Sequence, residues 1–257
     1  MSCATRRGSP PVRSAASSNR LHFYFGVRGS RIRNLHADAP KGFIEIGHKP
    51  IIEHSIGRLL DAGISRIIIV TGYASDHYFN LARKYEDLVE IIHNNQYERT
   101  GSLYSFYCLK GRIDEPFLLL ESDLLYESRA LTELLRAPES AVILLSSFTH
   151  SSDEVYVSTR KGKLLGMSKN RADLGGEEVP GEFVGITKIS MPVCNAIMNA
   201  AEAFFPSDMM RHYDVDGLVA AARTMDIPCL VAEGLIWAEI DDETHFHRAR
   251  DIIYPQL

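Results

Sequence analysis

Arg28-Gly29-Ser30-Arg31 is followed by Pro40-Lys41-Gly42 and then by Gly47-His48-Lys49-Pro50-Ile51-Ile52. Small residues in a turn let backbone N–H groups approach phosphate oxygens closely. Arg31 and Lys41 bring two cations to the same place, one a planar fork and one a point charge. Together they read as a clamp for a polyphosphate. The segment before the turn, Leu21-His22-Phe23-Tyr24-Phe25-Gly26-Val27, is rich in aromatics and β-prone. An ordinary basic turn between strand and helix leaves the Lys49-Pro50 pair unexplained.

Working outward, Lys49 to Ala62 carries Ile51, Ile52, Ile56, Leu59 and Leu60 in a helical stripe, and Gly63 ends it. Arg66 to Tyr73 is a continuous apolar run, the pattern of a buried parallel strand. A helix is expected over 75–85, a strand over Val89 to His93 and a helix over Tyr104 to Leu109. Phe117 to Leu120 is a second buried strand, running into Glu121-Ser122-Asp123. A helix at 129–136 and a strand at Ala141 to Ser146 follow. Strands alternating with helices imply a parallel, doubly wound sheet.

From residue 150 the texture changes. Val155-Tyr156-Val157, Lys163-Leu164-Leu165 and Phe183-Val184-Gly185-Ile186 are short strands between polar turns, read as an antiparallel excursion capping the sheet. Helices are expected at Pro192 to Ala203 and Val215 to Thr224, and late strands at Cys229 to Val231 and Ile236 to Ile240. The fold class is α/β, a Rossmann-like doubly wound mixed sheet with a small antiparallel excursion. Residues 21–257 read as a single domain. Residues 1–20, rich in Ser, Arg and Pro, read as a disordered extension. No apolar stretch follows Arg6-Arg7, so the extension does not read as a secretory signal.

With 257 residues the chain can bury a full core, and 45% hydrophobic with 24% charged residues suits a soluble enzyme. A net charge of −5 argues against nonspecific nucleic-acid binding. Cys3, Cys108, Cys194 and Cys229 form no paired motif and read as reduced thiols of a cytoplasmic protein. No apolar run is long enough to span a bilayer. A homodimer is left open.

Two acidic places carry chemistry. Asp123 lies just past the carboxyl end of a buried strand, where open α/β sheets place ligands and where a carboxylate can hold Mg²⁺. The alternative is an Asp capping the next helix. Glu239-Ile240-Asp241-Asp242 follows the late strand that contains Trp237. Asp242 and Glu243 read as a solvated face or helix start.

The pattern G-S-R, then P-K, then K-P-I-I resembles the signature of nucleotidyltransferases that make NDP-sugars and CDP-alcohols, usually L-A-A-G-x-G-S/T-R…P-K…K-P-L/I-I. The resemblance spans residues 28–257, with Val27 standing where the pattern has its first Gly. Four segments look closest to 2-aminoethylphosphonate cytidylyltransferases, sisters of the bacterial phosphocholine cytidylyltransferases. They are Glu121 to Glu127, Asp153 to Val157, Gly181 to Ile186 and Trp237 to Asp242.

The resemblance implies CTP as nucleotide and Mg²⁺ held by Asp123 and Asp241. It places Lys41 at the α-phosphate, Arg31 on the leaving pyrophosphate, and Gly29 and Ser30 around the phosphates. The stretch Asn94-Asn95-Gln96-Tyr97…Thr100-Gly101-Ser102-Leu103-Tyr104-Ser105 is similar to a segment beside the nucleotide, so Asn95, Thr100, Gly101 and Ser102 are expected to read base and ribose.

The acceptor is argued from charge. A quaternary ammonium is held by aromatic cages, whereas a primary ammonium wants carboxylates or carbonyls. The chain has a single Trp, and Val155 falls where the choline enzymes tend to present an aromatic. Acids are abundant: Asp153, Glu154, Glu182, Asp214, Asp216 and Glu239, with Lys169 for the phosphonate. The expected acceptor is therefore a small phosphonate with a primary amine, 2-aminoethylphosphonate. Phosphocholine, a sugar 1-phosphate and a non-catalytic nucleotide-binding role remain alternatives.

Overall fold

A computed structural model describes residues 39–257. The turn with Gly29, Ser30 and Arg31, the expected strand before it and the expected extension at 1–20 lie outside the described residues.

A single 3-10 turn at Lys41–Phe43 leads into a small hairpin, β1 (Glu45–Ile46) and β2 (Lys49–Pro50). Gly47 at its tip has φ +69, and a Cβ there would overlap the Tyr254 ring. Pro50 then precedes α1 (Ile51–Asp61), which buries Ile51, Ile52, Ile56 and Leu59. Burying side chains of this size contributes roughly 1.5–3 kcal/mol each. Gly63 at φ +85 ends the helix, as its permissive backbone suggests.

Next come β3 (Ile67–Thr71), α2 (Ser75–Tyr85) and β4 (Val89–His93), with β3 and β4 parallel. Then follow α3 (Ser102–Tyr107), β5 (Phe117–Leu120), β6 (Leu124–Tyr126), α4 (Arg129–Arg136) and β7 (Val142–Ser146). Beyond them lie β8 (Tyr156–Arg160), β9 (Lys163–Ser168), β10 (Glu178–Ile189) and α5 (Met191–Phe204). A π-helical turn at Tyr213–Leu218 runs into α6 (Val219–Ala222). The described chain closes with β11 (Cys229–Ala232), β12 (Trp237–Glu239), α7 (Glu243–Arg248) and two short helical turns.

The largest sheet runs β11-β7-β10-β8-β9, with β5 also paired to β10. Apolar residues bury both of its faces and both faces of β3. Ile67 and Ile69 join one cluster with Ile52, Ile56, Leu118 and Leu120, while Ile68 and Val70 join another with Phe117, Leu119 and Leu145. That two-sided burial follows from the unbroken apolar runs, since successive strand side chains face opposite ways.

Two expectations are corrected. Phe183 to Ile186 belongs to no peripheral excursion. It is the middle of β10, a strand of 12 residues that runs antiparallel to β5, β7 and β8. The sheet is mixed at its centre because β10 serves both parts: its start pairs with β8 and its end with β5 and β7. Gly185 at φ +80 lies where the register with β7 shifts, and a polar turn signal is not needed for such a bulge. The helix expected over Tyr104 to Leu109 begins earlier, at Ser102, because Leu103 and Phe106 are the buried pair that seats it.

Candidate active site

The carboxyl ends of β5 and β12 and the turn at Lys41 meet at one place. β12 pairs with β6, setting Glu239 opposite Leu124, so that Ile240 N donates to the Asp123 backbone carbonyl at 3.1 Å. The chain segments carrying Asp123 and Asp241 are thereby tied together. Lys41, 7% exposed, points into the gap: its Nζ donates to Asp123 Oδ2 at 3.0 Å and also to Asp241 Oδ1. Gly42 allows this approach, since a Cβ on it would crowd the Ser122 carbonyl oxygen at 3.2 Å and the Tyr78 hydroxyl at 3.3 Å.

Burial alone would lower the Lys41 pKa, but Asp123 and Asp241 outweigh it and hold the ammonium charged above its ordinary range. Burial pushes the Asp123 carboxyl up while Lys41 pulls it down. Burial would also raise Asp241, yet its hydrogen bond with Asp153 and the Lys41 charge hold it below the usual carboxylate range.

Two groups of ligand atoms flank the lysine, each within 4.8 Å: Glu121, Asp123 and Glu239 form one, and Asp153, Asp241 and His245 the other. Asp123 and Asp241 thus share Lys41 while belonging to different groups. The first group is strongly electronegative. Burial and then Asp214 and Asp123 push Glu121 up to about 8, and burial with Glu121 and Asp123 raises Glu239 well above its ordinary value. Hard carboxylate oxygens crowded in this way suit a cation such as Mg²⁺.

The expected nucleotide segment is held by its own hydrogen bonds. Asn94, buried, donates to Thr100 Oγ1 at 3.2 Å and Ser105 Oγ at 3.1 Å. Asn95 is exposed. Gly101 N donates to the Met209 carbonyl and Leu103 N to the Arg211 carbonyl, and Ser102 Oγ accepts from Tyr213 N. Tyr213 in turn donates from its hydroxyl to Glu121 Oε1 at 2.9 Å. Gly101 and Ser102 therefore anchor the segment that fixes Glu121, while Thr100 bonds within its own loop, to Asn94 and the Gln96 carbonyl.

Of the expected acceptor residues, Asp153, Glu154, Glu182 and Glu239 come together. They line one small cavity with Thr149, Val155 and Trp237. Glu182 is 1% exposed; its Oε1 accepts from Thr149 N at 3.2 Å and its Oε2 has no hydrogen-bond partner. Burial raises its pKa. Trp237 is fixed by donating from Nε1 to Ser146 Oγ at 2.9 Å. Lys169 is exposed and paired with Asp153. Asp214 and Asp216 do not line the cavity. Asp214 lies near Glu121, and Asp216 is taken by Arg211 at 2.7 Å and by His212 N. Asp242 caps α7 through His245 N, as its reading as a helix start expects.

The sequence reading missed His245 and Tyr213. Asp241 precedes Asp242, the N-cap of α7, so no helical spacing links it to His245, and Tyr213 carried no local signal either.

Residues 26–180 match the model of the MobA-like NTP transferase domain. The chain belongs to that family. A CTP:phosphoglutamine cytidylyltransferase of Campylobacter jejuni is 30% identical over 178 residues, covering 63% of this chain and 69% of the relative. A 2-aminoethylphosphonate cytidylyltransferase of Lancefieldella rimae is 25% identical over 181 residues, 70% of each chain. The chain spans less than two thirds of several other relatives it matches. Among solved structures, a CTP:phosphocholine cytidylyltransferase of Streptococcus pneumoniae superposes with a TM-score of 0.72 at 19% identity, covering 91% of this chain and 98% of that one. That likeness shows the fold, the mixed sheet of the nucleotide-diphospho-sugar transferase type. Among the described residues no helix is long and apolar enough to cross a membrane.

Proposed function

We propose that the protein is a Mg²⁺-dependent cytidylyltransferase that transfers CMP from CTP to 2-aminoethylphosphonate and releases pyrophosphate. The observation that carries this reading is Lys41, held charged between Asp123 and Asp241 at the strand ends. An oxygen of the acceptor phosphonate attacks the α-phosphorus of CTP in line, the bond to the β-phosphate oxygen breaks, and pyrophosphate leaves with the electron pair. The phosphonate is already ionised at neutral pH, so no general base is required. Lys41 stabilises charge growing on the α-phosphate, and Arg31 is assigned to the leaving pyrophosphate. Asp123 and Asp241, with Glu121 and Glu239 beside them, would hold Mg²⁺. When bound, the ion neutralises triphosphate charge and acts as a Lewis acid. The remaining contribution is positioning.

For the acceptor, the reading rests on the cavity at Glu182. A buried carboxylate with one unpartnered oxygen is costly unless a donor arrives. A primary ammonium supplies hydrogen bonds there, and Glu154 and Glu239 add charge. Two relatives carry names with amine-bearing phosphonates, 2-aminoethyl and 3-aminopropyl. Phosphocholine is the second reading, favoured by Trp237 on the same cavity wall.

Pyrophosphate release from CTP with Mg²⁺, offered 2-aminoethylphosphonate and phosphocholine side by side, tests the proposal. Release with the phosphonate supports it. Preference for phosphocholine overturns the acceptor and keeps the chemistry. Silence with both overturns the reading.

A further inference from the structure

Glu182 and Arg248 line the same cavity and carry opposite charge. Arg248 is the last residue of α7, three after His245, and both residues line the cavity, so one face of the helix is turned towards it. Arg248 is half-buried. Among the described residues no carboxylate stands within ion-pair distance of its guanidinium, and Asp251, three residues on, is held by Arg250. Its charge is nevertheless felt across the cavity. Burial pushes the Glu182 carboxyl up, while Thr149 and, more weakly, Arg248 pull it down.

A buried carboxylate with one open oxygen and a guanidinium with no partner, held apart in one cavity, are the two halves of a site for a zwitterion. The acceptor ammonium completes Glu182, the deeper of the two at 1% exposure. Arg248 then presents a planar fork, which matches a carboxylate at two points. The reacting phosphonate is not available for that role, because it has to lie beside Lys41, between Asp123 and Asp241. 2-Aminoethylphosphonate has no second anion and leaves Arg248 unused.

We propose that this cavity takes an α-amino-acid head, with the ammonium on Glu182 and the carboxylate on Arg248. The favoured acceptors are then phosphonates or phosphates that carry an amine and a carboxylate on one carbon. The inference rests on the cytidylyltransferase reading for the place of the phosphonate. An acceptor of this class is held at three points, and three points distinguish mirror images. The simplest such molecule is 2-amino-3-phosphonopropionate, which is 2-aminoethylphosphonate with a carboxylate on the amine-bearing carbon.

The experiment is calorimetric titration of the full chain with each enantiomer of 2-amino-3-phosphonopropionate and with 2-aminoethylphosphonate. Mg²⁺ and α,β-methylene-CTP, an analogue whose α–β bridge does not break, are present throughout. One enantiomer should bind at least about tenfold more tightly than 2-aminoethylphosphonate, as a charge-assisted pair provides, and its mirror image should lack that gain. Arg248→Gln should abolish the preference, and Arg248→Lys should restore part of it. The preference in the unaltered protein decides without any variant: equal affinity for all three ligands, or binding of none, overturns the proposal. So does a preference that survives Arg248→Gln. Equal losses with all three ligands in that variant also overturn it, and make Arg248 a counter-charge for Glu182. Pyrophosphate release with 2-aminoethylphosphonate but no enantiomer preference keeps the enzyme and sinks this inference. Preferential binding of one enantiomer, without release from CTP, sinks the enzyme and keeps the amino-acid site.

Discussion

Lys41 and Asp123 stand 82 residues apart in sequence and meet at 3.0 Å, with Asp241 on the other side of the same ammonium. The contact joins the turn at Lys41–Phe43 to the ends of two separate strands. Lys41 is the cation that makes this concentration of buried carboxylates tolerable. Lys41→Met should therefore do two things. It should lower pyrophosphate release from CTP at least about 100-fold, as loss of a preorganised charge at the reacting phosphate does. It should also cost roughly 3–5 kcal/mol of metal-free stability, because two carboxylates lose their buried partner. Urea unfolding and the release assay measure the two effects. A variant as active and as stable as the parent would remove Lys41 from the site.

The cavity at Glu182 gives a sharper test of the proposed acceptor. Glu182 keeps one oxygen unpartnered at 1% exposure. Glu182→Gln should raise KM for 2-aminoethylphosphonate about tenfold or more, the worth of a charge-assisted hydrogen bond. With ethylphosphonate, which has no amine, parent and variant should behave alike. Equal losses with both acceptors would show that Glu182 shapes the cavity and reads no ammonium. Val155→Trp, on the same wall, should improve turnover with phosphocholine by adding an aromatic face.

Much of the fold was legible because buried strands and amphipathic helices obey local rules. The unbroken run Ile67 to Val70 announced a strand buried on both faces, and the stripe through Ile51 and Leu59 announced α1. The place of Asp123 just past the end of β5 was legible from the unbroken run Phe117 to Leu120. The full length of the central antiparallel strand β10 was not, because Glu178, Pro180, Gly181 and Glu182 ahead of Phe183 read as a polar turn. Only pairing with three neighbours makes it one strand. Tyr213 was invisible for a related reason. Its role depends on the docking of 209–213 against Gly101 and Ser102, a contact between segments over a hundred residues apart.

That docking predicts an effect at a distance. A Cβ on Gly101 would overlap the carbonyl oxygens of Arg211 and Met210. Backbone cannot retreat as a side chain can, so Gly101→Ala should cost about 1–3 kcal/mol, the usual range for overpacking. The displaced segment would carry Tyr213 away from Glu121, so activity should fall further than in Tyr213→Phe, which loses only the hydroxyl. Thermal melting and the release assay on both variants check the order. An unperturbed Gly101→Ala would mean that the two segments can separate without consequence.

His54 offers a test of the fold away from the site. It is 6% exposed, its Nε2 lies 2.9 Å from the Ile46 carbonyl oxygen, and its ring meets Tyr254 edge-on. Burial lowers its pKa below the ordinary 6.5, and Lys49 and Arg58 push the same way, against the pull of the Ile46 carbonyl. The folded protein thus resists a proton that the unfolded chain accepts. His54 therefore contributes stability above pH 6.5 that is lost as pH falls from 6.5 through the folded value, with a slope of up to about 1.4 kcal/mol per pH unit. Urea unfolding at pH 7.5, 6.5 and 5.5 should show the decline, and His54→Gln, which can still donate to the Ile46 carbonyl, should flatten it. An equal decline in the variant would assign the acid sensitivity to other groups and leave His54 as packing alone.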